Sequence, residues 1–308
     1  MSIKAVLIGA RGYVGAELMT LISRHSSIDL IAASSRELEG KAVKHYRKKE
    51  LVYRDLSPQD LVELSPDLVI LALPNGLSSD FVTAIDSHCP KTTLIDLSAD
   101  YRFDPSWHYA LPEVVEQKVS SRISNPGCYA TAMQLSLAPV NHLIAARVSC
   151  FGVSGYSGAG TTPSDKNNTA LLAGNIMPYS LANHLHEKEV SYQLDVDIKF
   201  SPHVAEFFRG ISLTSHIPLI ESVSEGEIET LYQDYYYNAE LVQVQSEAPQ
   251  ITQVAKTCHA IIGGWTLSDD GTHLAVNCAL DNLLKGAASQ AIQNINITFG
   301  LPQLEALT

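Results

Sequence analysis

Cationic residues are scarce in this 308-residue sequence. It has 21 Lys and Arg against 33 Asp and Glu, which gives a formal net charge of −12 at pH 7. Because an acidic surface repels nucleic-acid phosphates and anionic lipid headgroups, we expect neither nucleic acid nor a membrane as a partner. The same charge repels anionic metabolites, so a site for such a metabolite must supply its own Arg or Lys.

Cysteines are few, odd in number and widely spaced, and no Cys-x-x-Cys pair occurs. This pattern argues against a disulfide framework and against a zinc site, and it indicates a reducing compartment. No signal peptide and no apolar run of membrane-spanning length is evident. We therefore expect a cytoplasmic protein without a bound metal. The five cysteines are Cys89, Cys128, Cys150, Cys258 and Cys278.

The length suggests two domains, and a hydrophobic content of 45% is enough for a sizeable core. In the first third, continuous apolar strands alternate with helical patterns, which is typical of a parallel sheet covered on both faces. After Cys128 the pattern changes, and alternation between about residues 190 and 280 indicates an antiparallel or mixed sheet. The predicted elements are strands at Ile3–Ile8, Asp29–Ser34, Leu68–Leu73, Thr93–Leu97 and Val148–Ser154, and helices at Tyr13–Arg24, Thr131–Ala146 and Asn282–Ile297.

The fold class is therefore expected to be α/β. A Rossmann-type, doubly wound domain would span residues 1–128, and an α+β domain with a mixed sheet would span residues 129–281.

A glycine-rich turn follows the first strand, with the spacing GxxGxxG between strand and helix. Gly9 would allow the tight turn, Gly12 would let the backbone approach a pyrophosphate, and Gly15 would let the helix pack closely on the strand. The pyrophosphate would then lie on the helix N-terminus. A tight turn without a ligand is the alternative. The candidate cofactor-binding residues of this turn are Gly9, Ala10, Arg11, Gly12, Tyr13, Val14 and Gly15.

The end of the second strand indicates which dinucleotide binds. It carries Ser35 and Arg36 in place of the acidic residue that would bind a ribose 2′-hydroxyl. A cation and hydroxyls suit a 2′-phosphate, so NADP is favoured over NAD, unless Arg36 is only a solvated loop residue. Leu73 and Pro74 end the next strand, and they should line the same pocket because ligands lie at the C-terminal strand ends.

Cys128 is the candidate nucleophile. It follows a Pro-Gly turn and precedes a helix, and the positive end of a helix favours the thiolate. A buried, inert cysteine is the alternative. A thiolate together with a nicotinamide predicts thioester chemistry, in which an acyl group is transferred to sulfur and reduced by hydride. Such chemistry needs an acid/base, and spacing alone leaves His184, His186 and His203 open.

Taken together, these residues resemble the N-acetyl-gamma-glutamyl-phosphate reductase family of arginine biosynthesis. The resemblance covers nearly the whole chain, and three motifs in this order are specific to it. They are NPGCYAT at residues 125–131, SGYSGAG at residues 154–160 and DNLLKGAA at residues 281–288.

The resemblance implies that N-acetyl-glutamyl 5-phosphate is reduced by NADPH to N-acetyl-glutamate 5-semialdehyde, with release of phosphate. It implies that Cys128 is the nucleophile and that the acid/base histidine lies in the segment with His184 and His186, with His186 slightly favoured. It also implies a C-terminal helix, within residues 282–308, that completes the cofactor domain, and a homodimer or homotetramer. The further cofactor-binding residues are Ser98, Ser157, Gly158, Asn282 and Lys285, and the candidate substrate-binding residues are Arg102, Asn125, Ser154, Gly155, His184 and Arg209.

The sequence departs from the family pattern at Leu185 and Thr161, where a basic residue is common. This leaves open a related substrate, such as a carrier-linked acyl phosphate. Two other readings stay open: an aspartate-semialdehyde dehydrogenase, which uses similar chemistry, and a non-catalytic NADP-binding regulator.

Overall fold

The computed structural model describes residues 2–308, which form two compact units. The first unit contains the chain through Gly127 together with Ala287–Thr308, and the second unit contains Cys128–Gly286. Residues 282–286 were expected with the first domain but belong to the second unit. The reason is local bonding, since the Asn282 side chain accepts a hydrogen bond from the backbone of Gly210 and donates one to Ser157.

The first unit is built on a seven-stranded sheet in which every paired strand is parallel. The strand order is β3-β2-β1-β4-β5-β7-β6. Continuous apolar runs form the central strands because both sheet faces are covered. The strands are β1 Ile3–Ile8, β2 Ile28–Ser34, β3 Tyr53–Arg54, β4 Leu68–Leu71, β5 Thr93–Asp96, β6 His108–Tyr109 and β7 Arg122–Ser124. The helices, numbered in chain order through both units, are α1 Tyr13–Arg24, α2 Pro58–Leu64, α3 Ser79–His88 and α9 Ser289–Thr298.

The strand order reverses next to β1, because the chain runs outward to β2 and β3 on one side and to β4 and β5 on the other. Ligands of doubly wound sheets bind at this reversal, outside the carboxyl ends of the strands. The turns that follow β1 and β4 therefore mark the expected binding edge of the first unit.

The second unit has a seven-stranded mixed sheet in the order β12-β13-β14-β11-β8-β10-β9. Strand β8 pairs in parallel with β10 and antiparallel with β11, as the alternating sequence pattern indicated. The strands are β8 Val148–Gly155, β9 Ile176–Pro178, β10 Ile198–Ala205, β11 Ile211–Pro218, β12 Val242–Val244, β13 Ala260–Leu267 and β14 His273–Leu280. The helices are α4 Cys128–Leu137, α5 Thr169–Leu172, α6 Leu185–Leu194, α7 Glu225–Tyr235 and α8 Ile251–Val254.

The long helix predicted over Thr131–Ala146 is wrong in its second half. Helix α4 ends at Leu137, and a 3₁₀ helix follows over Ala138–Leu143. Pro139 has no N–H to donate to the carbonyl of Leu135, so an α-helix cannot continue there without losing a hydrogen bond. The Tyr236 hydroxyl donates to that Leu135 carbonyl at 2.7 Å and so satisfies it.

The last predicted helix, Asn282–Ile297, also differs from its predicted form, because it begins with a π-helical turn, Leu284–Ala288, before α9. Tyr156–Ala159, within the SGYSGAG motif, forms a 3₁₀ helix after β8. No helix within residues 2–308 is both long and apolar enough to cross a membrane.

Candidate active site

The glycine turn lies at the strand-order reversal of the first unit. Gly9 has φ +83°, and a Cβ there would lie 2.2 Å from the carbonyl oxygen of Ala72, which follows β4. A Cβ on Gly15 would lie 2.8 Å from the Ala10 carbonyl, so this glycine lets α1 approach the turn. Only glycine fits at either position. These are the roles that the spacing predicted for Gly9 and Gly15.

Gly12 occupies the N-cap of α1 and leaves its surroundings open. The nearest atom to a Cβ at Gly12 would be 3.6 Å away, and Gly12 as the N-cap residue has no side chain with which to cap α1. Tyr13 and Val14 form that first turn, and the Ala10 amide donates to the Ser34 carbonyl at 3.0 Å. A helix N-terminus that begins at an open glycine is a ready anion site, so the turn fits a pyrophosphate.

The end of β2 brings Ser35 and two arginines to the same edge. The Ser35 Oγ accepts a hydrogen bond from Leu38 N at 3.3 Å, which leaves its own hydroxyl proton free to donate. Arg36 is 87% exposed and lies 3.3 Å from an Asp55 carboxylate oxygen. Arg11 of the glycine turn pairs with Glu37 at 2.7 Å. A surface carboxylate thus orients each guanidinium group. A phosphate can take the place of either carboxylate as the partner of the arginine.

The turn after β4, which contains Leu73 and Pro74, is tied to the loop that follows β5. Asp100 accepts hydrogen bonds from the backbone amides of Gly76 and Ser78. Ser98 was expected to bind the cofactor, but its hydroxyl donates to the Asp96 carboxylate at 2.6 Å. Burial raises the pKa of Asp96, and the hydroxyls of Ser98 and Ser78 oppose that rise. In this structure Ser98 stabilises the loop after β5 through its hydrogen bond to Asp96.

Arg102 and Asn125 were expected to bind substrate, yet both are buried in the first unit. Arg102 donates to the carbonyls of Asn125 and Leu97, each at 3.0 Å. The Asn125 side chain accepts from Asn294 of α9 at 3.0 Å. These contacts fix the backbone immediately before the Pro-Gly turn, so the two residues position that turn.

Cys128 is the first residue of α4 and is half-buried. Gly286 packs directly against it, because a Cβ at Gly286 would lie 2.7 Å from the Cys128 Cβ. Cys150 and Cys278, in contrast, are buried in the sheet, and burial raises the pKa of each thiol to about 12. Those two thiols stay protonated at neutral pH, as is usual for cysteines in a hydrophobic core.

His184 and His186 lie at the start of α6. The His184 Nδ1 accepts a hydrogen bond from the His186 backbone N–H at 3.1 Å and so caps the helix, and the two rings are 4.9 Å apart. Burial lowers the pKa of His184 to about 4, the Lys166 ammonium lowers it further, and Glu187 opposes the shift. His184 is therefore neutral at pH 7 and carries its proton on Nε2.

His203, the third candidate, lies on β10 with its side chain on the other sheet face. Phe200 on the same strand contacts His184 at 5.2 Å between ring centroids, and His203 is an odd number of positions further on. The His203 ring instead packs against Phe151 at 4.7 Å. The geometry separates His203 from the other two histidines.

Two tyrosines that the sequence did not single out complete this cluster. Tyr129 follows the cysteine, donates its hydroxyl to the His203 carbonyl at 2.8 Å and lies 6.2 Å from the His186 ring. Tyr179 hydrogen-bonds with Tyr129, and the nearby Cys128 contributes to raising the pKa of Tyr179, although burial is the main cause. Tyr129 lies within the NPGCYAT motif, and this position was the only feature of the sequence that pointed to either tyrosine.

The SGYSGAG loop forms a bonded junction within the second unit. Asn282 donates to Ser157 Oγ at 2.9 Å and accepts from Gly210 N at 2.7 Å. A Cβ on Gly155 would lie 2.6 Å from Phe208 backbone atoms, and a Cβ on Gly158 would lie 3.0 Å from Ser154 Oγ. The Ser154 hydroxyl donates to the Gly155 carbonyl. Both polar ends of Asn282 are thus engaged by the second unit itself.

Arg209 and Lys285, the two predicted cations here, are both withdrawn from solvent. Arg209 pairs with the fully buried Asp281 at 2.9 Å. Asp281 also accepts backbone hydrogen bonds from Lys256 and Leu283. Lys285 is fully buried. Within residues 2–308, no group of three or more His, Cys, Asp or Glu side chains is arranged to hold a metal ion.

Comparison with known proteins identifies the family. A model described as "Semialdehyde dehydrogenase, NAD binding domain" matches residues 4–122, and one described as "Semialdehyde dehydrogenase, dimerisation domain" matches residues 128–282. A protein of Xanthomonas campestris pv. campestris (strain 8004) named N-acetyl-gamma-glutamyl-phosphate reductase is 50% identical over 306 residues, which is 98% of this chain and 97% of that protein. The chain belongs to the N-acetyl-gamma-glutamyl-phosphate reductase family. A member from Xylella fastidiosa (strain M23) is 49% identical and covers 98% of this chain and 94% of its own length.

Membership of the reductase family confirms the fold class and the type of enzyme, an NADP-dependent oxidoreductase that acts on a small molecule. Among solved structures, aspartate semialdehyde dehydrogenase II of Vibrio cholerae, complexed with ASA, superimposes with a TM-score of 0.79 at 17% identity. The match covers 97% of this chain and 99% of that one. At this identity the likeness concerns the fold alone.

Proposed function

We propose that the protein reduces N-acetyl-L-glutamyl 5-phosphate with NADPH to N-acetyl-L-glutamate 5-semialdehyde, with release of phosphate, as a step of arginine biosynthesis. The observation that carries this proposal is the 50% identity to a reductase of that name over 98% of the chain. The half-buried Cys128 at the start of α4 supplies the nucleophile that such a reaction requires.

The first unit fits NADP at the edge where β1 and β4 end. Gly9 keeps a side chain away from the Ala72 carbonyl, and Gly12 leaves the first turn of α1 open to a pyrophosphate. Ser35, Arg36 and Arg11 are the residues that would hold the 2′-phosphate. When bound, NADPH supplies the hydride that reduces the acyl group.

Cys128 carries out the acyl transfer. Its thiolate attacks the carbonyl carbon of the acyl phosphate, the C–O bond to phosphate breaks, and a thioester forms on sulfur. After reduction, the C–S bond of the thiohemiacetal breaks to give the aldehyde, and the electron pair returns to sulfur. Backbone N–H groups at the start of α4 favour the negative charge that develops during both steps.

The two histidines suit different parts of this chemistry. His184 is neutral at pH 7, and because its Nδ1 is an acceptor, its Nε2 proton can be donated to an oxyanion. We assign the proton transfer that accompanies collapse of the thiohemiacetal to His186. His186→Asn should then lower kcat about 10²-fold to 10⁴-fold and remove one ionisation from the pH–rate profile. A variant that keeps its kcat would contradict the assignment.

The test of the proposed function is the reaction in reverse. N-acetylglutamate semialdehyde, phosphate and NADP are supplied, and NADPH is followed at 340 nm. NAD and aspartate semialdehyde are run as the alternative cofactor and substrate. We expect turnover that depends on phosphate and prefers NADP and the acetylated aldehyde. Cys128→Ser should still bind NADPH but lose that turnover, whereas near-normal activity in this variant would refute the nucleophile.

We further propose that the enzyme works in the cytoplasm as a homodimer or homotetramer. The support is that residues 128–282 match a model described as a dimerisation domain. Light scattering of the purified protein distinguishes these assemblies from a monomer. A monomer would contradict the proposal.

A further inference from the structure

The second unit has few cations, and most of them are already engaged. Of its seven Lys and Arg, three pair with carboxylates and Lys285 is fully buried. Lys188 and Lys256 are exposed to solvent. Lys166 remains, and it is half-buried without a carboxylate partner anywhere in residues 2–308. A half-buried lysine that no carboxylate neutralises is available to bind an anion.

Lys166 contacts the cluster that surrounds the candidate nucleophile. Its Nζ lies 5.0 Å from the centre of the Tyr179 ring. The same ring packs edge-on against His184 at 5.7 Å, and Tyr179 lies within the electrostatic field of Cys128. Tyr179 is therefore a common neighbour of the Lys166 ammonium, the Cys128 thiol and the neutral His184.

The backbone holds Lys166 in this position. Residues Asp165–Asn167 form a short 3₁₀ turn that begins with a capping box at Ser164. The Asn167 side-chain amide donates to the carbonyls of Gly160 at 3.0 Å and Thr162 at 2.7 Å. The turn is thus fastened to the end of the SGYSGAG loop, and the cation is preorganised before any substrate arrives.

We infer that Lys166 determines specificity by binding the free carboxylate at the far end of the acyl substrate. This inference rests on the proposed function. The phosphate leaves from the carbon that Cys128 attacks, so its binding groups must adjoin the thiol. The α-carboxylate lies several bonds further along the chain, which suits an ammonium held against the Tyr179 ring. The pairing also offsets the repulsion between an anionic substrate and an acidic protein.

The test compares a carboxylated aldehyde with its neutral analogue. Lys166→Met keeps an unbranched side chain over Tyr179 and removes the charge, and Lys188→Met is the matched control because it makes the same change at an exposed site on α6. The reverse reaction is run with N-acetylglutamate semialdehyde and with the corresponding α-methyl ester. For Lys166→Met we expect KM for the carboxylated aldehyde to rise tenfold or more, with kcat within threefold of wild type.

The KM for the ester and the KM for phosphate should not change, and Lys166→Arg should restore most of the lost affinity. An equal loss on the acid and the ester would overturn the inference, as would a raised KM for phosphate alone. If wild-type protein fails to oxidise the acetylated aldehyde at all, the proposed function is wrong. If it oxidises the aldehyde and Lys166→Met behaves as wild type, only the role of Lys166 is wrong.

Discussion

Replacing Gly286 by alanine should displace the nucleophile while leaving the rest of the molecule intact. A Cβ at this position would lie 2.7 Å from the Cβ and 3.2 Å from the Cα of Cys128. Apolar heavy atoms in contact approach to about 4 Å, so the two segments must separate by about 1 Å. A shift of that size at a reacting atom costs about 100-fold in rate. We therefore expect kcat in the reverse assay to fall about 100-fold.

The Gly286→Ala variant should be slightly less stable than wild type but should still fold. Overpacking of one methyl group costs about 1–3 kcal/mol, which corresponds to a Tm lower by a few degrees. Alkylation of Cys128 by iodoacetamide gives a second readout, since a displaced thiol reacts at a different rate. Mass spectrometry of the modified peptide assigns the reaction to Cys128 rather than to Cys89 or Cys258.

Gly226 provides the matched control for this prediction. It lies in α7, and a Cβ there would meet no atom within 4 Å. Gly226→Ala should therefore leave both kcat and the alkylation rate unchanged, because alanine is a good helix former. If Gly286→Ala retains kcat within twofold of wild type with an unchanged alkylation rate, Gly286 does not set the position of Cys128 and the reasoning fails.

Three further predictions address the cofactor, the pH dependence and the tyrosine cluster. Arg36→Ala should raise KM for NADPH about tenfold and leave KM for NADH unchanged, because a charge-assisted hydrogen bond to the 2′-phosphate contributes about 1.5–3 kcal/mol; equal changes for both cofactors would refute the assignment. The lowered pKa of His184 means that the unfolded chain takes up a proton as pH falls from 6.5 towards about 4. Stability should therefore drop through that window, and His184→Asn, which keeps a helix-capping acceptor, should remove about one proton from the dependence measured by urea unfolding. Tyr129→Phe leaves the His203 carbonyl without its donor and should lower the free energy of unfolding by about 1–3 kcal/mol, whereas Tyr237→Phe at an 85% exposed site should not change it.

Local sequence signals predicted the first unit well because its elements are defined by short-range patterns. The strand at Ile3–Ile8 and the helix at Tyr13–Arg24 have the predicted bounds. Strand β4 ends two residues earlier than expected, at Leu71. The apolar run continues, but the Ala72 carbonyl there lies against Gly9, so the chain leaves the sheet to form the binding edge. The hydrophobic periodicity of the sequence cannot predict that contact, because the contact joins residues more than 60 positions apart.

The helix after Cys128 was predicted too long because the prediction passed over Pro139, a local signal for a break. The long-range hydrogen bonds that stabilise the break were not visible in the sequence. The carbonyls that the break exposes at Leu135 and Ser136 accept hydrogen bonds from Tyr236 and Tyr232. These partners lie about 100 residues further along the chain, where nothing in the local sequence links them to α4.

In the candidate site, too, local features were easier to predict than long-range contacts. Cys128 and the glycine turn act through local geometry, so their placement followed from a motif. Arg209 and Asn282 were expected near ligands because of the family resemblance, but their hydrogen-bonding groups are engaged by Asp281, Gly210 and Ser157. A polar side chain whose donors and acceptors are satisfied within the protein gains little from a ligand. By this criterion Lys166 is a stronger candidate than Arg209 for binding a substrate anion.

The DNLLKGAA segment consequently affects the nucleophile by packing. Asp281 fixes Arg209, Asn282 joins Gly210 to Ser157, and Gly286 leaves room for Cys128. All of these contacts lie within the second unit, whereas the glycine turn that fits NADP lies in the first. A change at Gly286 should therefore alter kcat and thiol reactivity without altering the Kd for NADPH. If the segment instead bound the cofactor, as the family resemblance implied, the same change would raise that Kd. A single fluorescence titration of NADPH distinguishes these two outcomes.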